Sequence, residues 1–365
     1  MNNLECKFND TWDYVESILP GDLDKMAEKT HALVRCKGVS GAAALLRIIL
    51  TYGVTDLSLK ATAAWAFSTG LGRLSSVALF YRIRDAREWL SQLIAAMLNR
   101  DTRPSVCSGL SVKIVDATVL VGPGAKGTEW RLHTGIDPAT GQIDTVTLTD
   151  ASVGESYRNY PVEAEDVLVG DRAYALASGI TYVHKRDGYV VARANLSAIR
   201  LCRLDRTVFN PSLEASGVPK IGVAHFDVII PAPPENRSRS HKPWKLEDAS
   251  AWIPARLLAV RTRKNSIVWV ITTVPESLAS DAVIMELYRI RWQIELEFKR
   301  LKSLLGLDAL PSRRGPTAQS WILARVLAAI LVERLLRDSG AFFPWGYCLP
   351  KQSVAGEHRR VSSAA

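Results

Sequence analysis

Residues 111–150 read SVKIVDATVLVGPGAKGTEWRLHTGIDPATGQIDTVTLTD. Three runs rich in β-branched residues, SVKIVDATVL, TEWRLHTGI and QIDTVTLTD, are separated by the turn signals GPGAKG and DPATG. Consecutive strands with short connections predict an antiparallel meander. Just downstream, DVLVGD reads as a strand, AYALASGITYVHKRDG opens as a helix, and GYVVARAN reads as a further strand. A meander followed by β-α-β predicts an α/β fold.

On the N-terminal side, residues 20–100 are predicted helical. Apolar positions recur at three and four in GAAALLRIILTYG (41–53) and SSVALFYRIRDAREWLSQLIAAML (75–98). Between them a helix is expected to stop at the Gly70/Gly72 turn, with Ser75 or Ser76 capping the next one. That second helix carries Arg82 and Arg84, with Arg73 before it and Arg87 after. The pattern suits a helix-turn-helix DNA reader and an ordinary helical bundle alike.

On the C-terminal side, residues 195–275 hold short strand-like runs (GVAHFDVIIP, ARLLAVRTRK, SIVWVITTV) between polar loops such as PAPPENRSRSHKPW. From Thr181 to Asn265 there are fifteen Lys/Arg and seven Asp/Glu, a surplus of 15 − 7 = +8. The whole chain carries 46 − 37 = +9, so nearly all the excess sits in this stretch. A clustered positive charge points to a polyanionic partner; an unliganded basic face is the plainer alternative. From Ser280 one long helix is expected, VIMELYRIRWQIELEFKRLKSLLGL, ended by Gly306 and Pro311. A second, AQSWILARVLAAILVERLLRDSG, follows, and then a loose tail, PKQSVAGEHRRVSSAA.

Length and composition bound the answer. A chain of 365 residues suggests two or three domains, and 47% hydrophobic with 23% charged residues excludes a disordered or fibrous protein. The five cysteines (Cys6, Cys36, Cys107, Cys202, Cys348) lie far apart with no CxxC pair, which disfavours a disulfide framework or zinc finger and fits a reducing cytoplasm. The opening MNNLECKFNDTWDYVE is too acidic and polar for a secretory signal, and the apolar runs are too short to span a bilayer. No G-x-S-x-G or P-loop motif occurs, and GPGAKG (122–127), which has the glycine spacing of a dinucleotide fingerprint, joins two strand-like runs and opens no helix.

The chemistry-bearing candidates are carboxylates. Asp116 follows the apolar run Val112–Val115, and Asp171 ends Val167–Gly170. An acid in or just beyond a buried strand is costly unless paired or metal-bound, although either residue alone reads equally well as a turn or cap. At about 100° per residue, Tyr288, Arg291, Glu295 and Lys302 fall within about 60° of arc beside the apolar stripe of the long helix. Two strand acids and one helix acid could share a pair of Mg²⁺ ions, which prefer oxygen ligands.

These residues resemble a family. Tyr288-x2-Arg291-x3-Glu295-x6-Lys302 matches the YREK signature of DDE transposases of the IS-four insertion-sequence group, and VDATVL and VLVGDRAYA look like the surroundings of its two aspartates. The resemblance implies a ribonuclease-H-like core over 106–194 and 276–310, interrupted by a basic β-rich domain over 195–275. An N-terminal helical DNA-binding domain (1–105) would precede it, and a short C-terminal helix and tail (311–365) would follow. The implied activity is Mg²⁺-dependent cleavage at element ends and strand transfer into target DNA through a hairpin. Asp116, Asp171 and Glu295 would hold two Mg²⁺ (Mn²⁺ substituting), and Tyr288, Arg291 and Lys302 would grip phosphates. Trp269 and Trp292 resemble the family's base-stacking aromatics.

His133 is expected to be structural. Asp150 and Glu155, in LTDASVGES, are candidates for acids that support the metal-holding carboxylates from behind, and Glu297, about 160° from Glu295, should point away from the site. The implied partners are double-stranded DNA and a second copy of the chain, in a bacterial cytoplasm. The region after Lys302 is shorter than in better-known members. This keeps a second reading open, an inactive DNA-binding copy acting as an inhibitor, and a third, a nuclease without strand transfer.

Overall fold

The computed structural model describes residues 12–98, 110–125, 127–234, 244–303, 306, 307, 310, 311 and 315–338. The expected loose tail lies outside the described residues.

Helix α1 covers residues 12–18. It is followed by α2 (Leu23–Lys29), α3 (Ala42–Val54), α4 (Leu59–Ser68), α5 (Ser76–Asp85) and α6 (Arg87–Met97). The expected stop between α4 and α5 is present. Gly70 takes φ +72°, which L side chains resist, and Gly72 lies so close to the backbone of Gly38 and Val39 that a Cβ could not fit. Ser75 is the cap: its side chain accepts the N–H of Ala78 at 3.1 Å.

The meander forms as read, with β1 (Ser111–Leu120), β2 (Trp130–Asp137) and β3 (Gln142–Asp150) antiparallel in sequence. Then come β4 (Asp166–Gly170), α7 (Ala177–His184) and β5 (Tyr189–Arg193). After the one-turn α8 (Pro211–Glu214) the chain enters β6 (Ala224–Pro231), β7 (Trp252–Arg261) and β8 (Ile267–Thr272). All eight strands form one mixed sheet in the order β3-β2-β1-β4-β5-β8-β7-β6, with β1, β4 and β5 parallel at its centre. The basic segment 195–275 thus contributes three strands to the same sheet, joined through β8 to β5. The boundary at residue 195 falls within one hydrogen-bonded layer.

Alternation along the strands divides the core in two. Val112 and Ile114 of β1, Val167 and Val169 of β4, Val191 of β5 and Val270 of β8 face one side. They pack there with the N-terminal helices and with α9 (Asp281–Ile290), α10 (Gln293–Ser303) and α11 (Gly315–Asp338). Val115, Leu168, Val190, Ala192, Trp269 and Ile271 face the other side, with Ile180 and Val183 of α7 and a group of tyrosines. Helix α11 is buried round most of its surface and packs on α3, α5 and α6. Its Ala324 lies so close to Gly53 of α3 that a Cβ there would sit 3.0 Å away. Glu333 accepts the N–H of Ile143, tying α11 to β3.

The single long helix expected from Ser280 is in fact two. Around Arg291 and Trp292 the backbone makes i→i+3 bonds (Arg291 N–H to Tyr288 O, Ile294 N–H to Arg291 O, Glu295 N–H to Trp292 O), a 3₁₀-like tightening that separates α9 from α10. Among the described residues no helix is long and apolar enough to cross a membrane.

Candidate active site

Strands β1 and β4 run parallel with Ser111 opposite Asp166 and Ile114 opposite Val169. Continuing that register by two residues sets Asp171, just past the end of β4, beside Asp116, still inside β1. Both share the parity of Ile114 and Val169, so both belong to the face covered by α9 and α10. Each carboxylate first satisfies local backbone: Asp116 Oδ1 accepts the N–H of Ala117 at 2.8 Å, and Asp171 Oδ1 accepts that of Ala173 at 2.7 Å, capping the 3₁₀ turn Arg172–Tyr174.

Burial pushes the Asp116 carboxyl up to about 6, and the negative charges of Asp171 and Glu155 add to it; the Ala117 N–H and the Arg291 guanidinium act against it. Glu155, in the loop after β3, is itself raised by burial and by Asp171, with Arg131 opposing; the Arg131 Nε lies 4.0 Å from its carboxylate. Across from the aspartates, Arg291 at the α9–α10 junction donates to Glu295 Oε1 at 2.8 Å. Its side chain is 18% exposed against 59% for Glu295, so the arginine faces inward, within electrostatic reach of Asp116, and Glu295 lies outward.

Tyr288 packs at the margin of the first core, and Lys302 on α10 and Trp292 at the α9–α10 junction are half-buried. Glu297 is buried where Glu295 is exposed, as expected of residues on opposite sides of α10.

Trp269 is a correction. It shares the parity of Ile271 on β8, so it lies on the opposite face of the sheet from Asp116 and Asp171. Its ring packs against Phe226 at 5.8 Å and is nine-tenths buried in the second core. The strand period that makes the run apolar also sends this side chain away from the carboxylates.

His133 is structural. It is fully buried and bonded to Thr149 Oγ1 (3.0 Å) and to the Asn159 amide (3.3 Å); burial, with help from Arg131, lowers its pKa to about 4 and keeps the ring neutral. Asp150 is exposed and closes a turn onto Ser152. Periodicity alone missed Thr134, Tyr160 and Arg131, since apolar-face counting passes over a hydroxyl or an aromatic inside a strand or loop.

Among the described residues, no three His, Cys, Asp or Glu side chains stand close enough to form a ready ligand shell. The residues nevertheless suit a hard divalent cation in donor type and charge. Asp116 ionises reluctantly beside two other acids, a penalty a cation would relieve. Its direct cross-strand neighbour on the same face, Thr134, is fully buried with a hydroxyl that has no hydrogen-bond partner.

Residues 108–331 match the profile of the transposase DDE domain. The chain is 32% identical over 371 residues to transposase InsL of the insertion sequence element IS186A of Escherichia coli K12, covering 92% of this chain and 96% of that protein. It is equally similar, over 372 residues with the same coverage, to the transposase of element IS421 of Escherichia coli. The expected shortening after Lys302 does not extend to these relatives, which are matched almost end to end. Among solved structures, a piggyBac transposase in a synaptic complex with hairpin DNA is similar at a TM-score of 0.46 and 9% identity, over 82% of this chain and 66% of that one. DDE transposases generally use divalent metal. With a domain match over more than half its length and relatives of this coverage, the chain belongs to the insertion-sequence DDE transposases, phosphoryl-transfer enzymes that act on DNA.

Proposed function

We propose that this chain is a transposase of the IS-four group that cleaves the ends of its own element and joins them to target DNA. Asp116, Asp171 and Glu295 are the acids that would hold two Mg²⁺ ions, or Mn²⁺ in their place. Bound there, such ions supply Lewis acidity, raising the acidity of an attacking water or hydroxyl and neutralising charge on the leaving oxygen. The protein's own residues do the positioning. Arg291 and Lys302 hold phosphate oxygens on either side of the scissile bond, and Tyr288 supports the same strand from α9. When Glu295 swings inward to the aspartates, Arg291 exchanges its carboxylate partner for a phosphate. Attack by water leaves a 3′-hydroxyl and a 5′-phosphate; attack by that 3′-hydroxyl on the opposite strand closes a hairpin and expels the flanking 3′-end. Trp292, beside Arg291, takes the base that a hairpin must flip out, in place of Trp269.

In the same reading the ribonuclease-H-like core spans 106–194 and 276–310. The basic segment 195–275 lies along DNA, where Arg200, Arg203 and Arg206 are held over the rings of Trp244, Phe209 and Trp252 at 5.0, 5.3 and 5.0 Å. Residues 1–105 bind the element end. Their helix α5 leaves Val77 and Tyr81 exposed, with the Arg84 guanidinium 4.8 Å over Tyr81. Residues 311–365 supply the C-terminal helix, and two copies of the chain bring two ends together.

The observation that carries the reading is the β1–β4 register, which sets Asp116 beside Asp171 on the face covered by α9 and α10, with Arg291 within electrostatic reach of Asp116. The test is nicking of DNA carrying the ends of the encoding element. Asp116→Ala, Asp171→Ala and Glu295→Ala should each abolish Mg²⁺-dependent cleavage while end binding persists. Cleavage retained in any one removes that residue from the site. Arg291→Ala or Lys302→Ala should weaken binding and flatten its salt dependence. Hairpin and joined products on denaturing gels separate a transposase from a nuclease that only nicks.

A further inference from the structure

The backbone that presents the two aspartates is braced from the opposite face of the sheet by three tyrosines. Tyr157 and Tyr160 belong to the loop before β4, and Tyr174 lies three residues after Asp171; each is no more than 1% exposed. Tyr160 Oη donates to the backbone carbonyl of Asp116 at 2.7 Å. A phenol has one proton, so the 2.9 Å contact between Tyr160 Oη and Tyr174 Oη is donated by Tyr174. Tyr174 ends the 3₁₀ turn that Asp171 caps. The residue before that aspartate is held as tightly: a Cβ on Gly170 would lie 2.9 Å from Tyr157 Oη and 2.9 Å from Tyr174 Cβ. The rings themselves are in contact, Tyr157 with Tyr174 at 5.2 Å and Tyr160 with Tyr174 at 6.1 Å between centroids.

Phenylalanine at 160 and 174 would fill the same volume without desolvating two hydroxyls. What the hydroxyls add is a hydrogen-bonded link from the turn that Asp171 caps, just past the end of β4, to the carbonyl of Asp116 in the neighbouring strand β1. We propose that Tyr160 and Tyr174 are positioning residues whose hydroxyl chain, Tyr174 to Tyr160 to the Asp116 carbonyl, sets the separation of the two aspartates. The proposal rests on the reading of Asp116 and Asp171 as the cation-holding pair. Burial raises both phenols well above their ordinary pKa, so the chain keeps its protons across the working pH range.

The test uses the full chain with Mn²⁺ as probe, free ion being followed by electron paramagnetic resonance and thermal midpoints recorded in parallel. Tyr160→Phe and Tyr174→Phe should each weaken Mn²⁺ binding by about tenfold, the scale of losing a hydrogen-bonded support behind a ligand. The double variant should bind no worse than Tyr160→Phe, because removing that hydroxyl already cuts the chain. In end-DNA nicking, kcat should fall with KM unchanged. Tyr52→Phe, on α3, should alter neither binding nor rate. Unchanged Mn²⁺ affinity in both site variants, even with lowered midpoints, reduces the hydroxyls to packing and overturns the proposal. Should Tyr160→Phe fail to fold, Tyr174→Phe carries the same expectation. Asp116→Asn separates the two levels: if the wild type binds Mn²⁺ no more tightly than this variant, the acid pair itself is misassigned and the proposal falls with it. If the wild type binds and the tyrosine variants bind equally well, the proposal alone fails.

Discussion

Asp116 occupies a place where ionisation is disfavoured, and that has a measurable consequence for stability. Its carboxyl is raised by burial, and further by Asp171 and Glu155, to about 6 in the folded chain, from an unfolded value near 3.8. The folded state therefore binds a proton the unfolded state has already released, and stability falls as pH rises from about 4 through about 6. Asp116→Asn removes that penalty while keeping the shape. Thermal melts should show the variant more stable than wild type at pH 7 and equal to it near pH 4, while on the proposed reading it should lose DNA cleavage. A lower midpoint at pH 7 would mean that Arg291 more than offsets the burial. At this scale the two aspartates are legible in sequence because each is an acid in an otherwise apolar strand context. The tyrosines behind them are not, because a buried aromatic reads as core whether or not its hydroxyl is in use. Glu155 is a middle case: its loop position makes it a candidate supporting acid, but only the assembled sheet shows that its charge reaches Asp116 and Asp171.

At the scale of elements, the strands were readable because period-two patterning is strong and the turns between them are marked by glycine and proline. The break between α9 and α10 was not. Neither residue type, the usual source of a kink, occurs at Arg291–Trp292, so a helical period runs unbroken through a junction that the fold resolves with i→i+3 bonds. The face taken by Trp269 was hidden for a related reason: alternation says which residues share a face, but only the sheet order says which face receives the helices. The central strands carry their own electrostatic commitment. Lys113 of β1 and Asp166 of β4, each with side chains 1% exposed, form an ion pair at the end of the β1–β4 ladder remote from the acids. Asp166 also accepts the N–H of Glu163, and Lys113 reaches the carbonyl of Pro161. Removing one member leaves a buried charge uncompensated. Asp166→Ala should cost about 3–5 kcal/mol in denaturant unfolding, and Lys113→Met with Asp166→Leu should recover most of it. A loss below about 1 kcal/mol for the single variant would show that water reaches the orphaned lysine.

Across the whole molecule, the outer strands of the sheet are tied to the helix that carries Tyr288 and leads into Arg291. Arg256 of β7, 5% exposed, donates to the carbonyls of Val274 and Ala279 and, at 2.6 Å, to Asp281, the first residue of α9. The same carboxylate accepts from His225 Nδ1 of β6 at 2.7 Å, and His225 Nε2 reaches Asp227 at 3.1 Å. These contacts join residues 25 and 56 positions apart in the chain, beyond any local pattern. A neutral imidazole can donate to only one of the two aspartates; the cation donates to both. Burial opposes that charge, but the bonds and attraction to Asp281 and Asp227 outweigh it, and the His225 pKa lies above its ordinary value. For a raised histidine, the stabilisation is complete below about 6.5, the unfolded value, and is lost as pH climbs through the folded one. Denaturant unfolding of wild type and His225→Gln should therefore differ most at pH 6 and converge by pH 9, since glutamine can still hydrogen-bond but cannot carry the charge. Because α9 leads into the Arg291 junction, the wild-type nicking rate should also carry a pH-dependent component that His225→Gln removes. An equal stability gap at pH 6 and pH 9 would show that His225 stays uncharged in the folded chain and that Arg256 alone anchors α9 to the sheet.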